Sequence, residues 1–341
     1  MAGTDVGILG ASGYTGFEVI KILEKHPKVN IKFVVGDKNK GKNMTELYSS
    51  FTNKNLPKLI SYEEANFNSV DLIFSCMPSG KLASILHKLP KKLKIIDLSA
   101  DFRIKDANLY EEYYGIHENK KYMKKFIYGL SEINRKNIKK SQFISCPGCY
   151  PTSVLLPIIP LIKNKIVSMK DIIVDSKSGI TGAGRNLKQN LLFAENSNSF
   201  KAYGEGKHRH IPEMEHQIYN FTKKNINIVF TPHLLPINRG ILSTIYVKGN
   251  ILKIKNALQS FYKNEKFVLL SDEDIVPKIS DILGTNICKI GLIKHKSDKY
   301  VVIISVIDNL LKGASGQAVQ NMNIIMNYPE DLGLDQLPFW P

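Results

Sequence analysis

Two cysteines give this 341-residue sequence its clearest candidate for covalent chemistry. Cys146 and Cys149 form a Cys-x-x-Cys pair that follows a predicted strand at 143–145 and precedes a helical run at 153–161. Pro151 is well tolerated in a first helical turn, so we expect Cys149 to lie at the start of that helix. A helix N-terminus raises the thiolate fraction of a cysteine, which makes Cys149 a candidate nucleophile.

Other interpretations of the same pair stay open. Zinc needs further ligands, and Cys76 and Cys288 stand alone in the sequence, which disfavours a metal. A thioredoxin-like redox pair is disfavoured because the motif follows several predicted strand–helix units. A buried structural cysteine and a catalytic thiol are both compatible with the residues.

A short basic segment offers the proton acceptor and donor that thiol chemistry needs. His208 and His210 are two residues apart, so both imidazoles face one side of an extended segment. Histidine is the natural acid or base near neutral pH. Metal binding with Glu213 as a third ligand is the rival interpretation, and phosphate binding by Arg209 and Lys207 is another.

A glycine-rich turn near the chain start predicts a dinucleotide-binding site. Residues 10–16 read Gly-Ala-Ser-Gly-Tyr-Thr-Gly, directly after a predicted strand at 6–9 and before a helix. Glycines let the backbone approach a pyrophosphate, and the helix N-terminus adds N–H donors. The ribose of the cofactor is expected about 20 residues further on. There Asp37 favours NAD, whereas Lys38, Lys40 and Lys42 favour NADP, and the balance leans slightly to NADP.

Three further segments carry anion-binding residues, at 99–103, 178–185 and 231–240. Each combines turn-forming residues with an arginine. Arg103 and Arg239 of these segments, together with Arg209 of the histidine segment, are candidate ligands for a substrate carboxylate and phosphate, through bidentate pairing.

The order of predicted elements indicates an α/β protein of two domains. Strands and helices alternate over the first 148 residues, which predicts βαβ units and a parallel sheet of the Rossmann type. Longer β-rich runs follow and predict a separate α+β domain with a mixed sheet; Ala314, Ala318, Met322 and Ile325 then repeat at helical spacing. The predicted strands lie at 6–9, 31–35, 72–76, 95–98, 143–145, 172–175, 226–231, 241–247 and 300–306.

Composition excludes several classes of protein. The hydrophobic share of 43% and the charged share of 23% are those of a globular chain, and 4 cysteines are too few for a disulfide scaffold. No apolar run approaches the ~18 to 20 residues of a membrane span. The net charge of +16 comes from scattered lysines, which favours a solvated surface over a nucleic-acid interface. No export signal is visible, so we expect a cytoplasmic protein with no membrane partner.

Four segments together resemble N-acetyl-gamma-glutamyl-phosphate reductases, in the family's order and over nearly the full chain. They are residues 10–16, Pro-Gly-Cys-Tyr-Pro-Thr at 147–152, His-Arg-His-Ile-Pro-Glu at 208–213 and Lys-Gly-Ala-Ser-Gly-Gln-Ala at 312–318. The family usually has Asn where Cys146 stands, and a Ser-Arg pair at 36–37. The resemblance implies NADPH-dependent reduction of an acyl phosphate to an aldehyde in arginine biosynthesis, with release of phosphate.

The resemblance also implies roles for individual residues. It makes Cys149 the nucleophile and His208, rather than His210, the acid or base. It implies a homodimer or homotetramer, with a dinucleotide-binding domain at 1–148, a catalytic and oligomerisation domain at 149–308 and a tail at 309–341 that returns to the first domain. The cofactor-binding residues are expected to be Gly10, Ser12, Gly13, Tyr14, Thr15, Gly16, Lys38, Lys40, Pro78, Ser178, Gly179, Lys312, Gln317 and Asn321. The substrate-binding residues are expected to be Arg103, Arg209, His210 and Arg239.

Rival functions remain at this point. The same chemistry could act on aspartyl phosphate or on the carrier-linked aminoadipyl phosphate of a lysine route. A nucleotide-sensing protein that kept the fold without turnover is a rival of another class, and the presence of both Cys149 and His208 argues against it.

Overall fold

The computed structural model describes residues 3–204, 206–273, 275–296 and 299–339. The described residues form two compact units. Unit 1 comprises those of Met1–Pro147 and Ala314–Asp335, and unit 2 comprises those of Gly148–Gly313 and Gln336–Pro341. Among these residues, no helix is both long enough and apolar enough to cross a membrane.

Unit 1 contains a parallel sheet with helices between its strands. The strands are β1 (Thr4–Leu9), β2 (Val29–Val35), β3 (Leu59–Ile60), β4 (Leu72–Ser75), β5 (Lys94–Asp97), β6 (Ile127–Tyr128) and β7 (Phe143–Ser145). The helices that precede unit 2 in the chain are α1 (Tyr14–Leu23), α2 (Met44–Leu47), α3 (Lys81–Ile85), α4 (Ala107–Tyr114), α5 (Lys120–Met123) and α6 (Ser131–Ile138).

The order of these strands creates a ligand-binding edge. They run β3-β2-β1-β4-β5-β7-β6, and every neighbouring pair is parallel. Strands β1, β4 and β5 are almost entirely buried, as a parallel sheet covered on both faces requires. The chain changes direction of winding between β1 and β4, and ligands of such sheets bind outside the carboxyl ends at that place. The predicted Rossmann-type domain is confirmed.

Unit 2 contains a mixed sheet. Its strands are β8 (Ile172–Ser178), β9 (Lys201–Ala202), β10 (Ile228–Leu234), β11 (Ile241–Val247), β12 (Val268–Leu270), β13 (Cys288–Lys294) and β14 (Val301–Ile307). They run β12-β13-β14-β11-β8-β10-β9, with β8–β10 and β12–β13 parallel and the other pairs antiparallel. The predicted α+β domain with a mixed sheet is confirmed, and β9, β12 and β13 are additions to the predicted strands.

Within the described residues, the α-helices that accompany this sheet are α7 (Cys149–Lys163), α8 (Phe193–Asn196), α9 (His210–Thr222) and α10 (Ile251–Tyr262). From Tyr150 to Ile162 every residue of α7 is buried, including Pro157 and Pro160 within the helix. A helix that is apolar all round belongs in a core. The first residue of α7, Cys149, is therefore fixed by the most buried helix of the unit.

The segment after β14 has parts in both units. A π-helical turn, Leu311–Ser315, leads into α11 (Gly316–Ile325), which is buried within unit 1. Residues 309–313 and the described residues from Gln336 onward group with unit 2, whereas the sequence prediction assigned all of 309–341 to a returning tail. The reason is local: the Phe339 N–H donates to the Leu283 carbonyl, and the Phe339 ring lies against Gly284.

Short 3-10 helices complete the described chain, at Asp37–Asn39, Ser49–Phe51, Tyr62–Glu64, Phe67–Ser69, Leu86–Lys88, Ile180–Ala183, Gln189–Leu191 and Ile279–Asp281.

Gly16→Ala is expected to destabilise unit 1. A Cβ at residue 16 would lie 2.5 Å from the Gly10 carbonyl oxygen and 2.7 Å from the Ala11 Cα. Both are backbone atoms, which cannot move away without distorting the turn. We expect the apo protein to lose about 1–3 kcal/mol in its free energy of unfolding, measured by urea titration. Gly13→Ala is the control, since its Cβ would be 3.6 Å from the nearest atom, the Gly10 oxygen. Equal stability of the two variants would contradict the packing argument.

Candidate active site

Cys149 is the first residue of α7, and Gly148 is its N-cap. The thiol is half-buried, whereas the rest of the first turn is buried. The first N–H groups of a helix have no partner within it and carry partial positive charge, which favours an anionic thiolate. The structure thus places Cys149 at the helix start expected from the sequence.

Gly313 closes one side of the thiol site. A Cβ at this residue would lie 2.8 Å from the Cys149 Cβ and 3.2 Å from its Cα. Any side chain here would push the cysteine away, so the close approach requires glycine.

Glu213 fixes the other side of the same helix start. Its carboxylate is fully buried, and Oε1 accepts the N–H of Gly148 at 2.8 Å. Because Glu213 lies on α9, this bond ties the helix that begins at His210 to the helix that begins at Cys149. The alternative of a metal site with Glu213 finds no support: within the described ranges, no group of three or more His, Cys, Asp or Glu side chains could hold an ion.

His208 lies in an aromatic enclosure at the start of α9. Its ring centroid is 5.6 Å from that of Tyr150, 5.5 Å from Tyr203 and 5.4 Å from Phe230. Burial and, to a smaller extent, the charge of Arg209 together lower the pKa of His208 to about 4. The imidazole is therefore neutral at neutral pH.

A hydrogen bond from His210 determines which ring nitrogen of His208 carries the proton. The backbone N–H of His210 donates to Nδ1 of His208 at 3.2 Å, and the two ring centroids are 4.8 Å apart. A neutral imidazole that accepts at Nδ1 carries its proton on Nε2. His208 is thus a hydrogen-bond donor through Nε2, and His210 also contacts the Tyr150 ring at 5.8 Å.

The two tyrosines of the enclosure are neutral as well. The Tyr203 hydroxyl donates to the Tyr150 hydroxyl at 3.1 Å, and the Tyr150 hydroxyl donates to the His233 carbonyl at 3.3 Å. Burial raises the pKa of Tyr150 and raises that of Tyr203 to about 12. Both hydroxyl protons are therefore engaged in a chain that ends on the His233 carbonyl, and the two tyrosines add no charge beside His208.

The three candidate arginines have different surroundings. In unit 2, Arg239 donates from Nη2 to Oδ1 of the buried Asp308 at 3.0 Å, and Arg209 is exposed as the N-cap of α9. In unit 1, Arg103 is buried and donates from Nε to the Cys146 carbonyl and from Nη2 to the Leu98 carbonyl, both at 2.8 Å. The structure brings only Arg209 and Arg239 into the same unit as Cys149.

The glycine turn of unit 1 is shaped as a cradle for a bound group. Gly10 has φ of +74°, and a Cβ there would meet the Cys76 carbonyl oxygen at 2.6 Å. Gly13 caps α1, so Tyr14 and Thr15 begin the helix. Ser12 lies in the same turn, where its carbonyl accepts the Tyr48 hydroxyl at 3.0 Å.

Where the ribose of the cofactor is expected, the carboxylate of Asp37 already accepts a hydrogen bond within the protein. Asp37 accepts the Tyr62 N–H at 2.9 Å, and Lys40 pairs with Glu64 at 2.8 Å. Lys38 is exposed. The predicted cation for a 2′-phosphate is thus accessible, while one oxygen of the competing carboxylate is occupied.

The remaining expected cofactor residues have different environments. Gln317 is 1% exposed, and neither of its amide atoms has a hydrogen-bond partner among the described residues, which suits a polar ligand. Asn321, also in unit 1, donates to the Gly129 carbonyl at 2.8 Å and accepts the Ser131 hydroxyl at 3.1 Å. Lys312 is buried in unit 2, with Nζ 5.5 Å from the Phe267 ring centroid.

Three further expected residues lie at strand ends. Pro78 is exposed after β4 in unit 1. In unit 2, Ser178 ends β8 and Gly179 follows it. Gly179 approaches the chain closely, because a Cβ there would lie 2.7 Å from the Arg239 nitrogen.

Sequence reasoning missed part of the unit 2 site. Tyr203, Phe230 and Asp308 belong to no motif that it assigned, and Gly313 was included only as a member of the 312–318 segment. Tyr150 carried a weak signal as the neighbour of Cys149. No motif or spacing in the sequence marks Asp308, because its pairing with Arg239 joins residues 69 positions apart.

The fold and the domain matches define a class. Residues 5–141 match the family described as semialdehyde dehydrogenase, NAD binding domain, and residues 149–309 match semialdehyde dehydrogenase, dimerisation domain. The crystal structure of aspartate semialdehyde dehydrogenase II from Vibrio cholerae, complexed with ASA, has a TM-score of 0.74 and 16% identity, covering 96% of this chain and 99% of that chain. The protein thus belongs to the class of the semialdehyde dehydrogenases. The NAD-binding domain of that class corresponds to the dinucleotide-binding domain predicted from the sequence.

Curated relatives narrow the class. A probable chloroplastic N-acetyl-gamma-glutamyl-phosphate reductase of Arabidopsis thaliana is 41% identical, covering 98% of this chain and 85% of that protein. The N-acetyl-gamma-glutamyl-phosphate reductase of Ehrlichia canis (strain Jake) is 41% identical, covering 98% of each. The chain belongs to the N-acetyl-gamma-glutamyl-phosphate reductase family, which confirms the resemblance found in the four motifs.

Glu213→Ala is expected to disturb Cys149. It leaves the buried Gly148 N–H without its acceptor, at a cost of about 1–3 kcal/mol in the free energy of unfolding. We also expect the rate of Cys149 alkylation by iodoacetamide, followed by peptide mass spectrometry, to change by at least about threefold.

Glu215→Ala is the matched control for this prediction. Glu215 lies on the same helix and accepts a different backbone N–H, that of Ile228 at 2.9 Å. It should lose comparable stability and leave Cys149 alkylation unchanged. Equal alkylation rates in both variants and the wild type would contradict the role of Glu213.

The low pKa of His208 makes part of the stability pH-dependent. The unfolded chain has a histidine pKa near 6.5, so it binds more protons than the folded chain between pH 6.5 and about 4. The free energy of unfolding therefore falls as pH falls through this window.

His208→Gln removes this dependence. The difference in unfolding free energy, wild type minus variant, should decrease between about pH 7 and about pH 4.5 in urea titrations. His87→Gln, at an exposed surface position, controls for histidine replacement. A wild-type-minus-variant difference that stays constant with pH would contradict the burial argument.

Proposed function

We propose that this protein reduces N-acetyl-gamma-glutamyl phosphate to N-acetylglutamate 5-semialdehyde with NADPH, releasing inorganic phosphate, as a step of arginine biosynthesis. The observation that carries the proposal is the position of Cys149 at the start of α7. Gly313 lies against this cysteine, and Glu213 accepts the N–H of the preceding Gly148. Membership of the reductase family supplies the substrate.

The chemistry begins at the sulfur. The Cys149 thiolate attacks the γ-carbonyl carbon, an S–C bond forms, and the C–O bond to phosphate breaks with its electron pair leaving on phosphate. A thioester remains on Cys149. This covalent step divides one difficult displacement into two easier ones.

The second half regenerates the thiolate. NADPH, when bound, supplies a hydride to the thioester carbon. The tetrahedral carbon then bears an oxyanion, to which Nε2–H of the neutral His208 donates a hydrogen bond. Collapse breaks the C–S bond, frees the aldehyde and returns the electron pair to the Cys149 sulfur. Arg239 and Arg209 are the proposed ligands of the substrate's anionic groups.

Unit 1 is proposed to hold the cofactor. The Gly10 to Gly16 turn would take the pyrophosphate at the start of α1. The amide of Gln317, which has no hydrogen-bond partner in the described part of the chain, would bind a polar group of the cofactor. Lys38 would meet the 2′-phosphate, which favours NADP(H), since Asp37 already accepts the Tyr62 N–H. Asn321 and Lys312 are proposed to support the site from the interior positions described above.

We propose a homodimer or homotetramer that acts in the cytoplasm. The match of residues 149–309 to a dimerisation domain supports self-association. No disulfide joins Cys76, Cys146, Cys149 or Cys288 among the described residues, which suits a reducing compartment.

Cys149→Ser should abolish turnover. Purified protein with N-acetylglutamate semialdehyde, phosphate and NADP should produce NADPH, followed by its absorbance, and the variant should lose at least about a thousandfold in kcat. Its affinity for NADP should stay within about twofold, because the cofactor residues are unchanged. Cys288→Ser, at a buried thiol beside Ser305, is the control that keeps activity.

Substrate choice is tested in the same assay. Aspartate semialdehyde should react at least about a hundredfold more slowly, and NAD more slowly than NADP. Equal or faster turnover of aspartate semialdehyde, or full activity of Cys149→Ser, would contradict the proposed function.

A further inference from the structure

The buried carboxylate of Asp308 accepts hydrogen bonds from several parts of unit 2. It lies directly after β14 and is 0% exposed. Oδ1 accepts Nη2 of Arg239 at 3.0 Å and the Leu310 N–H at 2.9 Å, and Oδ2 accepts the Gly284 N–H at 2.9 Å. Three segments of unit 2 that are distant in sequence thus converge on one carboxylate.

The contact with Arg239 determines how that guanidinium is oriented. Nε also faces Oδ1, at 3.3 Å, so one edge of the planar group is directed to the carboxylate. A guanidinium has five N–H donors in a rigid plane. Fixing one edge therefore fixes the directions of the other donors. Asn309 supports the same loop, because its Oδ1 accepts the Gly240 N–H at 2.7 Å.

The same residue is linked to the thiol. The Asp308 carbonyl accepts the Gly313 N–H at 3.0 Å, and Gly313 lies against Cys149. A side chain that orients a cation is thereby held by the same turn that closes the nucleophile's site. Burying a charge pair seldom adds stability over an apolar pair, so stability alone is a poor account of this arrangement.

We propose that Asp308 is a positioning residue that holds Arg239 as an anion-binding group beside Cys149. The anion is a carboxylate or a phosphate, the two charged groups of the substrate, and this identification rests on the proposed function. The orientation of Arg239 toward an anion near the Cys149 thiol concerns unit 2 alone, so it can be tested whether or not the protein turns over the proposed substrate.

Two alkylating agents test the claim on the intact protein. Iodoacetate is an anion and iodoacetamide is its neutral counterpart, so the ratio of their rates at Cys149 reports the local attraction for anions. The rates are followed by mass spectrometry of the peptide that contains Cys149. We expect Arg239→Gln to lower the ratio by about fivefold.

Asp308→Asn separates positioning from simple neutralisation. The substitution makes the surroundings one charge more positive, so a carboxylate that only neutralised Arg239 would give a higher ratio when removed. A positioning residue gives a ratio lowered by about threefold or more, with the iodoacetamide rate within about twofold of wild type. The double variant should match Arg239→Gln, because the two residues act together. An unchanged or raised ratio, or additive effects, would overturn the proposal.

Two more variants keep the test decisive. Asp281→Asn is the matched control, since Asp281 accepts Lys289 Nζ at 3.0 Å in the same unit, and its ratio should stay at the wild-type value. If Asp308→Asn fails to fold, Arg239→Lys decides the question, because it keeps the charge and loses the fork. A wild-type ratio in Arg239→Lys would then overturn the proposal.

Kinetics relate the inference to the reaction. In the oxidative assay, Asp308→Asn should raise the KM for semialdehyde or for phosphate by about tenfold, with a smaller change in kcat. A wild-type protein inactive on N-acetylglutamate semialdehyde would refute the proposed function and leave the alkylation result standing. Unchanged KM values in an active variant would instead overturn the role of Asp308.

Discussion

A thiol at the start of a buried helix is the constraint on which the rest of the unit 2 site depends. The positive end of α7 stabilises the Cys149 thiolate only while the first turn of the helix stays fixed and close to the groups that react with the thiolate. Two contacts supply that rigidity: Glu213 holds Gly148 from α9, and Gly313 presses on Cys149 from the segment after β14. The proposed reaction therefore relies on three distant parts of the sequence meeting at one sulfur.

Burial controls the protonation state of the histidine in the unit 2 site. The aromatic enclosure keeps His208 neutral, and the His210 N–H leaves its proton on Nε2. A neutral donor stabilises an oxyanion without forming a permanent ion pair with the thiolate. Positive charge enters through arginines, of which Arg239 is held by Asp308. The proposed hydrogen-bond donor to the oxyanion, His208, and the proposed anion ligand, Arg239, are thus separate groups with separate supports.

Local pattern was enough to predict the parallel sheet, the glycine turn and the helix that starts at Cys149, because strand–turn–helix signals lie within a few residues. It could not predict β9, which has two residues, nor the pairing of Arg239 with Asp308, which are 69 positions apart. Gln317 and Asn321 lie four residues apart on α11, yet among the described residues the Gln317 amide has no hydrogen-bond partner whereas the Asn321 amide is satisfied. Such differences depend on tertiary contacts that no motif encodes.

The most direct test of the account is the mass of the acylated enzyme. Protein given N-acetylglutamate semialdehyde and NADP without phosphate, then quenched in acid, should carry one N-acetylglutamyl group on the peptide that contains Cys149. Added phosphate should remove the group. Reduction of NADP with no acyl group on any peptide, or with the group on another residue, would contradict the thioester at Cys149.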